Sequence, residues 1–233
     1  MIRLDKFLAQ MNMGTRSEVK NAIRKGKVTV NGEICKNADV KVDEEKDIIC
    51  YENKELHYEK YVYFMLNKPA GVVSATKDNF DKTVLDLLKD ENVQDVFPVG
   101  RLDKDTEGLL LLTNDGDLAH NLLSPKKHVP KTYFVRTKEI VSKEQIEALE
   151  KGVDIGEDIL TMPAETEVLT ENEMFLTIHE GKFHQVKRML KAVGNEVIYL
   201  KREKMGNLSL DKNLKFGEYR RLTKEEIEGL KNR

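Results

Sequence analysis

Cysteine is scarce in this chain. Cys35 and Cys50 are the full complement, without a Cys-x-x-Cys spacing or a neighbouring histidine pair, so neither a zinc site nor a disulfide framework is indicated. Both read as structural thiols. Long apolar runs are also missing, since none approaches the roughly 20 residues needed to span a bilayer. Residues 1–16 mix Arg3, Asp5, Lys6 and Arg16 with leucine and methionine too freely for a secretory leader, which points to the cytoplasm. Dinucleotide glycine fingerprints and phosphate-cradling glycine loops are absent, which leaves no sign of a nucleotide cofactor.

An excess of positive charge is lacking too. The formal net charge is −2, which taken alone argues against a nucleic-acid binder. The distribution says more than the sum. Residues 1–27 hold seven bases (Arg3, Lys6, Arg16, Lys20, Arg24, Lys25, Lys27) against two acids (Asp5, Glu18), whereas Asp43, Glu44, Glu45 and Asp47 follow soon after.

What is present suits a soluble globular protein: 233 residues, 39% apolar, enough for one large core or two modest ones. Leu4, Phe7, Leu8 and Met11 recur at helical spacing. Thr15 with Glu18 three residues on makes a capping box for a second helix. That helix buries Val19, Ala22 and Ile23 and exposes Arg16, Lys20, Arg24 and Lys27. Gly26 ends it, and residues 27–34 read as two strands about the Asn31-Gly32 turn. A strand at residues 47–51 completes the unit. The polar stretch 52–60 is the linker, giving domains at residues 1–56 and 61–233 joined by residues 57–60.

The second domain begins with a strand at residues 61–66, halted by Asn67-Lys68-Pro69-Ala70-Gly71. A short helix at 83–88 and a strand at 96–99 follow. Then comes Gly100-Arg101-Leu102-Asp103-Lys104-Asp105-Thr106-Glu107-Gly108, running through Leu109–Leu112 into Thr113-Asn114-Asp115-Gly116. It reads as an acidic loop feeding a buried strand, with Arg101 and Asp103 packed between apolar neighbours where unpaired charge is costly. A calcium loop competes for the same residues. Asp103, Asp105, Glu107 and Gly108 hold the right first places, but the twelfth is Asn114 and leucines fill the interval. A solvated acidic turn is the plainer alternative.

Further on, a helix at 117–123 and a basic turn at 124–128 precede a strand at 131–137. Ser142 and Gln145 cap a helix closed by Gly152, residues 153–162 read as loop, and strands follow at 165–169 and 174–179. A helix from Phe183 turns Val186, Met189, Leu190 and Val193 inward and leaves Lys187, Arg188 and Lys191 for phosphate. A strand at 197–206 and a last helix capped by Thr223 with Glu226 end the chain.

Gly-Arg-Leu-Asp, followed by Asp-Thr-Glu-Gly-Leu-Leu-Leu-Leu-Thr-Asn-Asp-Gly, closely resembles the active-site motif of the pseudouridine synthases that modify ribosomal RNA. The resemblance is to the branch acting on small-subunit RNA and its large-subunit relatives. Asn67-Lys68-Pro69-Ala70-Gly71, Lys131-Thr132-Tyr133, Glu180-Gly181-Lys182-Phe183-His184-Gln185 and Val197-Ile198-Tyr199-Leu200 match further motifs. Arg3-Leu4-Asp5-Lys6-Phe7 and Val28-Thr29-Val30-Asn31-Gly32 resemble the small RNA-binding module named after ribosomal small-subunit protein four.

The resemblance implies an α+β protein: a helix-helix-hairpin RNA-binding module, and a larger domain on a mostly antiparallel sheet with the pocket in its central cleft. It implies isomerisation of a uridine in ribosomal RNA, with Asp103 as nucleophile, Tyr133 stacked on the base and Leu200 packed against it. Lys182, where relatives commonly carry arginine, is the expected partner of Asp103; Lys187, Arg188 or Arg101 are the substitutes. His184 is assigned a loop-orienting or RNA-contacting role. Arg101, Lys187 and Arg188, with Arg16, Lys20 and Arg24 of the first domain, bind substrate, and Lys126, Lys127, Lys201, Arg202 and Lys204 join them on phosphate. No metal or cofactor is required, and the default state is a monomer whose partner is small-subunit RNA or an assembly intermediate. The competing readings are a synthase acting on large-subunit RNA, a non-catalytic RNA-binding assembly factor, and a glycosidase using Asp103 and Asp105.

Overall fold

The structure, a computed structural model, describes residues 1–44, 46–56, 59–89 and 95–232. It divides into two compact units, Met1–Tyr61 and Val62–Lys89 with Asp95–Arg233. His57 and Tyr58, half of the expected linker, lie outside the described residues.

In the first unit, helices α1 (Leu4–Gln10) and α2 (Arg16–Arg24) pack over short strands. Strand β1 (Ile2–Arg3) pairs with β4 (Lys41–Val42), while β2 (Val28–Val30), β3 (Glu33–Ile34), β5 (Ile49–Tyr51) and β6 (Lys54–Leu56) form a sheet in the order β3-β2-β5-β6. The α2 capping box forms as the sequence predicts. The β2–β3 turn needs left-handed backbone at two successive residues, and Asn31 (φ 52) and Gly32 (φ 85) supply it. Leu4, Phe7, Leu8, Val19, Ile23, Val28, Val42 and Ile49 make the core. Strand β6 corrects the reading of residues 52–60 as linker: a charged edge strand hides its pairing behind a polar sequence.

The second unit is built on a nine-stranded sheet. Its strands are β7 (Tyr63–Lys68), β8 (Phe97–Pro98), β9 (Glu107–Thr113), β10 (Lys131–Thr137), β11 (Glu165–Thr170), β12 (Glu173–Ile178), β13 (Val197–Met205), β14 (Leu208–Ser209) and β15 (Tyr219–Arg221). The main order is β11-β12-β10-β13-β9-β7-β15, with β8 on β9 and β14 on β13. Every pairing is antiparallel except β13 with β9. Among the described residues four α-helices accompany the sheet: α3 (Gly116–Leu123), α4 (Lys143–Lys151), α5 (Gln185–Ala192) and α6 (Lys224–Lys231). The fold is therefore mixed α+β. Strand β9 is buried almost throughout because its four leucines are covered on both faces. The expected helix at 83–88 is a single 3₁₀ turn, Leu85–Leu87, and α5 begins at Gln185 rather than Phe183.

Candidate active site

The loop before β9 is held from the inside. Lys68, the last residue of β7, is fully buried. Its ammonium donates to the carbonyl oxygens of Pro69 (3.0 Å), Asp103 (3.1 Å), Lys104 (3.3 Å) and Thr106 (2.8 Å). Burial lowers its pKa to about 8 against the attraction of Asp105, Glu107 and Asp103. Ser74 Oγ donates to the Leu102 carbonyl (2.9 Å) and accepts from the Leu102 amide (3.1 Å), and the Gly71 amide donates to Lys104 O (2.7 Å). The Asn67–Gly71 motif thus fixes the backbone on which Asp103 sits. Gly108 closes the loop's far end: a Cβ there would lie 2.3 Å from the Arg202 carbonyl, so glycine is what lets β9 approach β13.

Asp103 has a side chain 25% exposed, with Oδ2 3.0 Å from Lys187 Nζ and Oδ1 3.4 Å from His184 Nε2. Lys187 also reaches Asp105 Oδ1 at 2.6 Å. Burial works against the charge on Lys187, but hydrogen bonds with Asp105 and Asp103 outweigh it and hold the ammonium above its ordinary pKa. The same bond from Lys187 keeps the Asp105 carboxyl below the usual range despite partial burial. The site therefore carries a cation shared between two carboxylates, and Asp105, whose side chain is 71% exposed, is the outer one.

A cavity of about 260 Å³ opens at Asp103 and is lined by Arg101, Thr106, Lys131, Tyr133, Lys182, His184, Lys187, Leu200 and Arg202, among others. Strand alternation explains the gathering. Lys131, Tyr133 and Val135 share one face of β10, and Tyr133 pairs across with Arg202, Val135 with Leu200. The cavity is small beside the roughly 300–1,000 Å³ of common drug-sized ligand sites, as suits a single planar ring.

Several residues stand elsewhere than the sequence led us to expect. Lys182 lines the cavity, but its Nζ lies 3.5 Å from Glu157 and 3.6 Å from Glu180, so Lys187 and not Lys182 is paired with Asp103. The cause is local. His184 takes a left-handed conformation (φ 48) and α5 starts only after it, which sets Lys187 on the first turn, facing the loop. Arg188 is tied to the Ile155 carbonyl (3.1 Å) and Glu157 (2.8 Å), holding the 153–162 loop rather than standing free for RNA. Arg101 is exposed, not packed between apolar neighbours. Arg202 is buried instead of facing phosphate, and Lys201 and Lys204 lie along a separate cavity on the sheet's other face. In the first unit Arg16 and Arg24 are exposed without ion-pair partners among the described residues, whereas Lys20 lies 3.6 Å from Asp5 and Lys27 pairs with Glu52.

His184, read as orienting loops or contacting RNA, stands 3.4 Å from Asp103, and Lys68 and Lys131 were not singled out as chemistry by the sequence. Their signal was present: Lys68 sits inside a motif that stops a strand, and Lys131 stands two residues before Tyr133 on one strand face.

A partly shielded carboxylate with a cation on it stands beside an aromatic ring and an aliphatic wall at one small cavity, the parts of an enzyme site. Comparison with known proteins makes this specific. A family model described as RNA pseudouridylate synthase matches residues 62–192, and one described as S4 domain matches residues 2–49. An uncharacterized RNA pseudouridine synthase of Bacillus subtilis is 52% identical over 97% of both chains. Proteins named ribosomal small subunit pseudouridine synthase A are similar too: that of Escherichia coli is 45% and that of Vibrio cholerae 44% identical, each over 97% of this chain and 98% of theirs. A crystal structure of a pseudouridylate synthase superposes with a TM-score of 0.71 at 43% identity, covering 99% of this chain and 100% of that one. The chain belongs to the RNA pseudouridylate synthase family, with an S4 domain ahead of the catalytic one.

Proposed function

We propose that this enzyme isomerises a uridine of small-subunit ribosomal RNA to pseudouridine, in the cytoplasm, with Asp103 as the nucleophile. The observation that carries the reading is the Asp103 carboxylate, 3.0 Å from Lys187 at the wall of a cavity shared with Tyr133 and Leu200. The names of the Escherichia coli and Vibrio cholerae relatives support the small-subunit target.

The reaction breaks the bond from C1′ of the ribose to N1 of uracil, turns the base, and joins C5 to C1′. Composition is unchanged and no electrons are exchanged with a partner. The chemistry asks for a nucleophile that can leave again, a chamber that keeps the detached base, and an acceptor for the C5 proton. Asp103, held 3.0 Å from Lys187, attacks the sugar or assists a glycal intermediate. Tyr133 stacks on the uracil and relays the proton. A paired base does not fit such a cavity, so the nucleotide is everted or already unpaired. Arg101 at the rim and Arg16 and Arg24 on α2 take phosphates.

The test is a map of pseudouridines in ribosomal RNA from cells with and without this protein, complemented by wild type or Asp103→Asn. One small-subunit site should vanish with the protein and return with wild type alone. Return with Asp103→Asn would remove the nucleophile, and a site lost from large-subunit RNA instead would move the substrate.

A further inference from the structure

Besides Lys182, which faces Glu157 and Glu180, two cations line the cavity to which the mechanism above gives no task. Arg202 is 2% exposed and Lys131 8%. Arg202 Nε donates to the Leu109 carbonyl and Lys131 Nζ to the Val129 carbonyl, both at 2.8 Å. Among the described residues neither meets a carboxylate, and the two repel one another. Arg202 Nη2 has no hydrogen-bond partner, nor has the Oγ1 of Thr106, which is 2% exposed in the same cavity. Burial first, and then the nearby charge of Arg202, bring Lys131 down to about 8.

An unpaired charge inside a protein is among the costliest features a fold can hold, and replacement by an apolar side chain commonly stabilises. Phosphates stay with the RNA backbone outside, where Arg101, Lys126 and Lys127 are exposed. Groups as deeply buried as Arg202 and Lys131 meet only what enters the cavity.

We propose that Arg202 Nη2, Thr106 Oγ1 and the Lys131 ammonium form a site for the carbonyl oxygens of the uracil and stabilise the negative charge that the ring takes up when its bond to the sugar breaks. The inference rests on the cavity accepting a uridine, as proposed above. When the C1′–N1 bond breaks, its electron pair passes to the uracil and spreads over N1, O2 and O4, where the cations act. After the ring turns, C5 supplies the pair that bonds to C1′ while the C1′–O bond to Asp103 breaks and returns its pair to the carboxylate, and the C5 proton then leaves through Tyr133. Donors already aimed at developing charge require no reorganisation at the moment of reaction.

The test uses the full chain, with Arg202→Met, Lys131→Met and Asp103→Asn variants, on small- and large-subunit RNA transcripts made with uridine or 5-fluorouridine. Single-turnover consumption of the target nucleoside, RNA affinity by filter binding, and thermal melting are read together. Arg202→Met should slow uridine consumption about 10²-fold, in line with loss of one preorganised donor, while RNA affinity stays within about twofold. The deficit should shrink several-fold on 5-fluorouridine, because fluorine makes the departing uracil anion a weaker base that needs less help. Melting temperature should hold or rise, since an uncompensated charge is gone. Lys131→Met should follow the same pattern more weakly, and it carries the test if Arg202→Met does not fold. A wild-type rate, a rate loss matched by lost affinity, or an equal deficit on both transcripts would overturn the proposal. Asp103→Asn separates the layers: if it remains active, the reading of the whole site fails, whereas an inactive Asp103→Asn beside a fully active Arg202→Met removes the uracil-anion site alone.

Discussion

The two faces of the nine-stranded sheet carry cavities of unequal size, and the larger is the less telling. On one face, a cavity of about 900 Å³ is lined by residues such as Thr132, Phe175, Thr177, Lys201 and Glu203. There Lys201 meets Glu203 at 2.8 Å, and the Thr132 and Thr177 hydroxyls bond one another at 2.8 Å. On the other face the cavity is about 260 Å³, yet it gathers Asp103, Tyr133, Arg202 and Lys131. Among the described residues lining the first, Asn67 Oδ1 alone is buried without a hydrogen-bond partner. The second leaves a buried guanidinium nitrogen and a threonine hydroxyl without partners. Unspent hydrogen-bonding capacity, more than volume, marks where a ligand belongs.

This contrast can be broken at defined points. The largest effect is expected at Asp103: Asp103→Asn should lower single-turnover pseudouridine formation by about 10³-fold or more, as loss of a nucleophile does. Thr132→Val, on the opposite face, should leave the rate near that of wild type. The next effect sorts the two lysines. Lys187→Ala should cost about 10²-fold in rate by removing the cation from Asp103. Lys182→Ala should show chiefly as lost stability, because its charge belongs to Glu157 and Glu180. Equal rate losses for the two would erase the distinction.

Lys68 gives a third test. Lys68→Met leaves four loop carbonyls, that of Thr106 buried, short of a donor and should destabilise by about 2 kcal/mol, a fall of several degrees in melting temperature, with a slower reaction because the Asp103 loop loosens. An unchanged rate would mean the loop keeps its shape unaided. The fourth test is pH. Lys68 and Lys131 each have a folded pKa near 8, below the ordinary lysine value of 10.5. Between those limits the unfolded chain binds the proton more tightly, so the burial penalty applies in full below pH 8 and is relieved as pH rises to 10.5. Urea titrations should therefore show wild type gaining stability relative to Lys131→Met across that window. The smallest effect belongs to the first unit: Arg16→Gln with Arg24→Gln should flatten the salt dependence of RNA affinity by about one to two counterions.

Much of this was legible in the residues. The leucine run after an acidic loop declared a buried strand, and Asn31-Gly32 and three capping boxes placed a hairpin and three helix starts where the structure has them. What escaped was the assignment of charges. Lys201-Arg202-Glu203-Lys204 is charged at every position, so alternation had no apolar member to reveal which side chain turns inward. The β10–β13 register also shifts between Thr132 and Tyr133, which moves Lys204 off the simple two-residue period. Likewise nothing in Lys182-Phe183-His184 announced a left-handed histidine delaying the helix. Two residues of delay set Lys187, not Lys182, against Asp103.

The most direct measurement is made with purified protein and a small-subunit RNA transcript in single turnover, the product nucleosides being counted by mass spectrometry. Wild type should convert one uridine per transcript, and Asp103→Asn, folded and still binding the RNA, should convert none in the same time. Pseudouridine formed by Asp103→Asn at the wild-type rate would contradict the central claim.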